Sequence, residues 1–261
     1  MKKLILLLAM FFIIYSYSQQ RNENYIFGYR LEYFSDSTNL NVKKAEDFSL
    51  LKLKEKSYFI SDNYLKKDSI INSVKLLGSM NFSKVPNTAF KYFIIKNSDD
   101  INYYEAILSY KYKYTESPEF NWKITNEKIK IGEYNCIKAE IYYAGRHWIA
   151  WFTTDVEINE GPYKFKGLPG LIVKISDDKF YYSFYLTYIK KNSFVENDLF
   201  KENNLNKYKE VTKVELRQIK NNINNNIINE LSSYGVSVSS ESIDRVKLNV
   251  KKNNNPLELK N

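Results

Sequence analysis

Gly161-Pro162-Tyr163-Lys164-Phe165-Lys166-Gly167-Leu168-Pro169-Gly170-Leu171-Ile172-Val173-Lys174 is the stretch around which the chain is organised. The protein has eight glycines and five prolines, and three of those glycines and two of those prolines fall between positions 161 and 170. Such clustering requires a backbone reason. Pro169-Gly170 suits the central positions of a type II turn, where Pro sets φ and Gly accepts a positive φ without a Cβ clash. Gly161-Pro162 marks a second bend. Leu168, Leu171 and Ile172 would pin this double turn to a sheet, and Leu171-Ile172-Val173 leads into a strand. The hexapeptide from Gly167 to Ile172 contains no acid, base or nucleophile, so its expected role is structural.

The flanking sequence is rich in strands. Residues 25–34 alternate, with Tyr25, Phe27, Tyr29, Leu31 and Tyr33 on one face. Residues 47–53 and 57–61 form a predicted hairpin around Lys54-Glu55-Lys56. Residues 62–80 have a helical spacing of apolar side chains after a capping Asp62 or Asn63. Strands are expected over 89–96 and 101–115, then over 122–125, 128–131, 134–143 and 146–153, joined by short turns. Beyond the central stretch come strands 171–176 and 180–189. Short turns between successive strands imply an antiparallel meander. Residues 210–231 read as a helix with an apolar stripe of Val211, Leu216, Ile219, Ile223, Ile227, Ile228 and Leu231. Residues 232–255 are expected to be an extended or frayed polar tail. The fold class is mainly β (α+β): a curved antiparallel sheet or partial β-barrel with about two helices, one of them C-terminal.

Gly167-Leu168-Pro169-Gly170-Leu171-Ile172 resembles the signature of the GLPGLI family, exported proteins of Gram-negative bacteria. Gly145-Arg146, Trp151-Phe152-Thr153, Asp155 and Gly161-Pro162 precede it at the family's spacing, so the likeness is specific over about 132–175. It extends loosely to the Asn-Pro-Leu-Glu-Leu tail. One departure is that Glu157-Ile158 stand where the family usually has Pro. The resemblance implies an exported protein and a half-barrel like that of lipoprotein carriers; it implies no activity, because the family has no established one.

Composition agrees with a packed β protein. Hydrophobic residues make up 44%, and 23 Tyr and 16 Phe suit pleated, half-buried surfaces. Residues 1–18 read as a secretory signal peptide: Lys2 and Lys3, then an apolar run over 4–14 too short to span a bilayer, then Ser16 and Ser18 at the cleavage site. Residues 19–261 then form a single domain, with the polar tail from about 233. The net charge is +9, of which Lys2 and Lys3 supply two. The remaining basic residues are scattered, so nucleic acid is not an expected partner. No Cys follows the apolar run, which argues against a lipid anchor, and no later segment would span a membrane. The expected location is the periplasm or the extracellular medium.

Candidate chemistry is sparse. One histidine, His147, and one cysteine, Cys136, cannot build a transition-metal site. Asp177-Asp178 leaves a carboxylate Ca²⁺ site open but lacks an Asp-x-Asp-x-Asp-Gly loop, so no metal or cofactor is expected. Cys136 reads as a small buried hydrophobe. A hydrolase would have to use Asp155, His147 or Cys136, without a nucleophile elbow. The better cluster is Arg146, Trp148 and Phe152, which alternation places on one face of residues 146–153. Either that face lines a ligand groove, with Arg146 offering a forked donor, or both tryptophans are core and Arg146 stacks on a ring or pairs with Asp155. Three functional readings follow. The first is a non-catalytic exported binder of an apolar or peptide ligand or an envelope protein. The others are a hydrolase with an unrecognised site and an interaction scaffold with a filled core.

Overall fold

A computed structural model describes residues 24–77, 85–191, 197–233 and 239–260, without the side chains of 72–77. The proposed leader, 1–18, and the last residues of the first predicted helix, 78–80, lie outside them.

Twelve strands form one open sheet. They are β1 (Tyr25–Tyr33), β2 (Lys44–Leu53), β3 (Lys56–Ser61), β4 (Tyr92–Lys96), β5 (Ile101–Ile107), β6 (Tyr110–Glu116), β7 (Lys123–Ile131), β8 (Tyr134–Tyr143), β9 (Arg146–Thr153), β10 (Leu171–Asp177), β11 (Tyr182–Lys191) and β12 (Lys209–Glu210). The spatial order is β12-β6-β5-β4-β3-β2-β1-β11-β10-β9-β8-β7. Two meanders, β1 to β6 and β7 to β11, are therefore joined along β1 and β11, which pair antiparallel from Tyr25↔Lys191 to Tyr33↔Tyr182. Every pairing is antiparallel except the two-residue β12 beside β6. β7 closes nothing and leaves the sheet open at its edge.

The hairpins turn through left-handed residues. Ala144 and Gly145 both have positive φ between β8 and β9, as a two-residue primed turn requires. Residues 101–115, expected as one run, divide at Leu108, whose φ is +55°. No Gly, Asn or Asp marks that turn, which is closed by the pairing of Ile107 in β5 with Tyr110 in β6. The reverse holds at β7: two short predicted strands are one strand with a bulge between Ile124 and Lys128.

The inner face carries the larger core, with Phe27, Tyr29, Leu31, Phe48, Phe59, Trp148, Phe152 and Phe184 fully or nearly fully buried. The face predicted for residues 25–34 is the one that packs inward. A smaller core on the outer face of β2 to β5 joins Tyr58, Phe93 and Tyr104 to Leu199, Phe200 and Tyr208. There a 3-10 turn (Asp198–Phe200) and α2 (Glu202–Leu205) cover the sheet beside α1 (Asp62–Leu77).

The C-terminal third departs from expectation. The predicted helix over 210–231 is two helices, α3 (Lys213–Asn225) and α4 (Ile227–Ser233), broken at Asn226. Thr212 caps α3: its hydroxyl accepts from the Glu215 amide at 3.1 Å, and the Glu215 carboxylate accepts from the Thr212 amide at 2.7 Å. Of the predicted apolar stripe, Leu216 and Ile223 are buried. The expected frayed tail contains α5 (Ser240–Lys252), capped by Ser239. Ile243, Val246 and Val250 recur at helical spacing there, a signal masked by the surrounding Ser and Lys. Past α5, residues 253–260 run back along the sheet and are anchored to it.

Candidate functional site

The loop between β9 and β10 lies across the inner face. Its backbone holds itself through the Ile172 amide on the Glu160 carbonyl at 3.0 Å and the Phe165 amide on the Pro162 carbonyl at 3.1 Å. Lys96 clamps it from β4. Its fully buried ammonium lies 2.7 Å from the Glu160 carboxylate, 2.7 Å from the Gly161 carbonyl and 3.3 Å from the Phe165 carbonyl. Burial pulls the Lys96 pKa down, against the pull of Glu160. Tyr29 donates to the Ile172 carbonyl at 2.6 Å, and Trp122 to the Lys166 carbonyl at 2.9 Å.

Pro169-Gly170 does not make the predicted type II turn. The Gly170 amide reaches the Leu168 carbonyl at 2.8 Å, a three-residue turn centred on Pro169. Glycine is still required at 170, where φ is +151° and a Cβ would fall 2.0 Å from the Thr153 carbonyl oxygen. Gly161, Pro162, Leu168, Leu171 and Ile172 are buried, whereas Gly167 and Pro169 face outward.

Lys164 is the loop's chemical feature. Its side chain is fully buried, and its ammonium donates to the Tyr114 hydroxyl at 2.6 Å and the Glu258 carboxylate at 2.6 Å, with Glu116 in contact. The rings of Tyr114, Tyr103 and Tyr163 surround it at 5.0, 5.2 and 5.3 Å. Lys213 of α3 bridges Glu116 and Glu258 at 2.9 Å each. Tyr163 donates to Glu258 at 2.7 Å. Burial alone would raise the Glu258 carboxyl, but Lys164 and then Lys213 override it and hold its pKa at about 2.

Arg146, at the start of β9, reads the same C-terminal segment. It donates to Asp177 at 2.7 Å, the Asn255 side-chain oxygen at 2.7 Å, the Pro256 carbonyl at 2.5 Å and the Leu257 carbonyl at 3.0 Å. Its guanidinium lies 5.1 Å from the Tyr182 ring. Asn255 is satisfied on every side: its amide meets the Ser35 carbonyl, its carboxamide donates to the Phe34 carbonyl, and its carbonyl accepts from the Tyr182 hydroxyl at 2.5 Å. Leu257 packs on the core, and the amides of Leu259 and Lys260 converge on the Ala144 carbonyl. Together these contacts form a seat in which the chain's own residues 253–260 lie.

Of the residues singled out in the sequence, Arg146 therefore lies in this seat. Trp148 and Phe152 are fully buried, and the Trp148 ring packs against Phe165 at 4.8 Å. Arg146 pairs with Asp177 rather than Asp155. Cys136 lies opposite Thr153 and His147 opposite Tyr142, six register steps apart, which is about 20 Å along a strand. The two cannot form a dyad. Burial, then Asp155, pushes the Cys136 thiol up to about 11. His147 stacks on Tyr142 and lies 3.5 Å from Glu140 on the outer face. Among the described residues, no three His, Cys, Asp or Glu side chains gather as a metal site. Asp177, weighed in the sequence only as a Ca²⁺ ligand, instead pairs with Arg146; Lys164, Lys213, Asn255 and Glu258 were missed as site residues. Their only signals were a lysine between two aromatics in the loop and the Asn-Pro-Leu-Glu-Leu tail.

A family profile described as a protein of unknown function, Porph_ging, matches residues 145–174, the span from the Ala144-Gly145 turn through the loop. No curated protein matches the chain. Two crystal forms of PNGF-II are similar in fold, each with a TM-score of 0.52 and 16% identity over 75% of this chain and 32% of theirs. The chain thus spans about a third of the length of those structures. A Vibrio parahaemolyticus domain assigned to outer membrane lipoprotein sorting scores lower, with a TM-score of 0.33 and 10% identity over 70% of this chain and 92% of its own. These likenesses concern the fold of the PNGF-II region alone.

Proposed function

We propose that this is an exported, non-catalytic binding protein whose ligand is an extended peptide, taken up along the seat that residues 253–260 fill. One observation carries the reading. Arg146 and Tyr182 engage three consecutive main-chain carbonyls, of Asn255, Pro256 and Leu257, while Lys164, Lys213 and Tyr163 converge on one carboxylate. Main-chain contacts supply affinity, and the Asn255 and Glu258 positions supply selectivity. The Tyr92 hydroxyl, buried without a hydrogen-bond partner among the described residues, is a further polar group in the aromatic wall. Between an apolar and a peptide ligand, this arrangement favours the peptide, because the loop and the C-terminal segment already cover the inner face. Export rests on the leader at 1–18 and on the GLPGLI resemblance, with the matched profile spanning the same region. Among the described residues no helix is long and apolar enough to cross a membrane.

The test uses the full chain carrying Asn255→Ala and Glu258→Ala, which removes the tail's two side-chain anchors and weakens its hold on the seat. A labelled peptide of residues 253–261 should then bind saturably by fluorescence anisotropy. The unsubstituted chain should bind it at least tenfold more weakly, and adding Arg146→Ala should abolish binding. An absence of saturable binding to the double variant would end the peptide reading.

A further inference from the structure

We propose that residues 253–260 are exchanged between two copies of this chain, each seating its Asn255 and Glu258 in the other's groove. The inference rests on the peptide seat proposed above and names its partner. Among the described residues, the limb that precedes the segment, α4 and α5, is weakly attached. Neither α4 nor α5 contains a buried residue, whereas Asn255 at its tip is only 5% exposed. Firm attachment is therefore at the tip, where the bonds run from the tail to the loop, the sheet and Lys213 of α3. An identical tail from a second copy makes the same bonds, so exchange conserves them and alters only the path of the limb.

The outer side of α5 fits a copy of itself. Glu241, Asp244, Leu248, Lys251 and Lys252 are all exposed, and helical spacing gathers them on one side of the helix. The acids lie in its first half and the lysines in its second. Two limbs that cross about a two-fold axis run antiparallel, which sets the acids of one α5 against the lysines of the other, with Leu248 beside the axis. The present partner of Glu241 is Arg245, at 2.9 Å in an exposed pair. Such a pair contributes little and would not resist the exchange.

Ser37 and Asn254 provide the test, because the Ser37 hydroxyl donates to the Asn254 side-chain oxygen at 2.8 Å on the exposed rim. A Ser37→Cys chain and an Asn254→Cys chain are refolded together and mildly oxidised, and the linked sites are mapped by peptide mass. Cys136 is buried and stays out of the reaction. Exchange predicts a two-chain species linked 37 to 254, in several-fold excess over 37–37 and 254–254 links. A Ser37→Cys/Asn254→Cys double variant is the control. If it links only within single chains and the mixture does not link, exchange is overturned and the seat survives. If neither links, the seat itself is wrong, and the peptide reading falls with it. Light scattering of the unsubstituted chain is a second measurement: a two-chain mass is expected, and a one-chain mass at every concentration overturns the proposal.

Discussion

Lys164 and Glu258, 94 residues apart, meet at 2.6 Å with the lysine side chain wholly removed from solvent. This contact ties the central loop to the end of the chain. A buried pair stripped of one member leaves an uncompensated charge, which costs about 3–5 kcal/mol. Lys164→Ala should fall near the lower end, because Lys213 still faces both carboxylates. Urea unfolding of the variant against the parent measures this, and a loss below about 1 kcal/mol would show that the pair contributes little.

Glu258 also sets a pH dependence. Its folded pKa of about 2 lies below its ordinary value of 4.5, so its contribution is present above about 4.5 and is lost as pH falls towards about 2. The linkage is on the order of 3 kcal/mol at neutral pH. Urea midpoints should drop between pH 5 and pH 3. Glu258→Gln should be less stable at pH 7 and should flatten that part of the acid limb. Parallel curves for the two chains would remove Glu258 from the explanation.

Arg146→Lys preserves charge but not the fork. One ammonium cannot reach Asp177, the Asn255 carboxamide and two carbonyls together. Losing two charge-assisted bonds amounts to about 3 kcal/mol at the seat. Amide exchange over residues 253–260 should accelerate about 100-fold, while β1 and β11 keep their protection. Uniform acceleration across the sheet would mean that Arg146 supports the whole fold rather than the tail.

Two glycines with positive φ should respond differently to alanine. At Gly170 the added Cβ meets the Thr153 carbonyl oxygen at 2.0 Å, whereas at Gly132 nothing lies within 4 Å. Gly132→Ala should cost about 1 kcal/mol, the backbone term alone. Gly170→Ala adds a backbone clash and should cost about 3 kcal/mol or more. Thermal unfolding of both variants checks the order, and equal losses would contradict the close approach at Gly170.

The strands were legible because each reports itself locally. Tyr25 to Tyr33 alternate, Ala144-Gly145 turns, and Trp148 and Phe152 share a face through a period of two. Leu108 was not legible as a turn, since its φ of +55° is imposed by neighbouring strands rather than by its own chemistry. α5 was hidden for a related reason: four apolar residues among Ser, Asn and Lys are a weak pattern until Ser239 is seen capping them. The seat was the least legible. Arg146 stood out as a cation beside aromatics, yet its partners lie on β10, β11 and the C-terminal segment.

By itself, the sequence determined a β-rich chain of antiparallel hairpins with a tight bend before Leu171, because side-chain alternation and the φ demands of Gly and Pro act between neighbours. The tertiary structure alone decided that β1 pairs with β11, that the loop turns Lys164 inward, and that Arg146 and Lys164 both hold the last residues of the chain. Those contacts join positions from 94 to 166 residues apart. Their energy comes from strand hydrogen bonds and apolar burial between β1 and β11 and from desolvated charges at the tail, for which no local spacing in the chain is a sign.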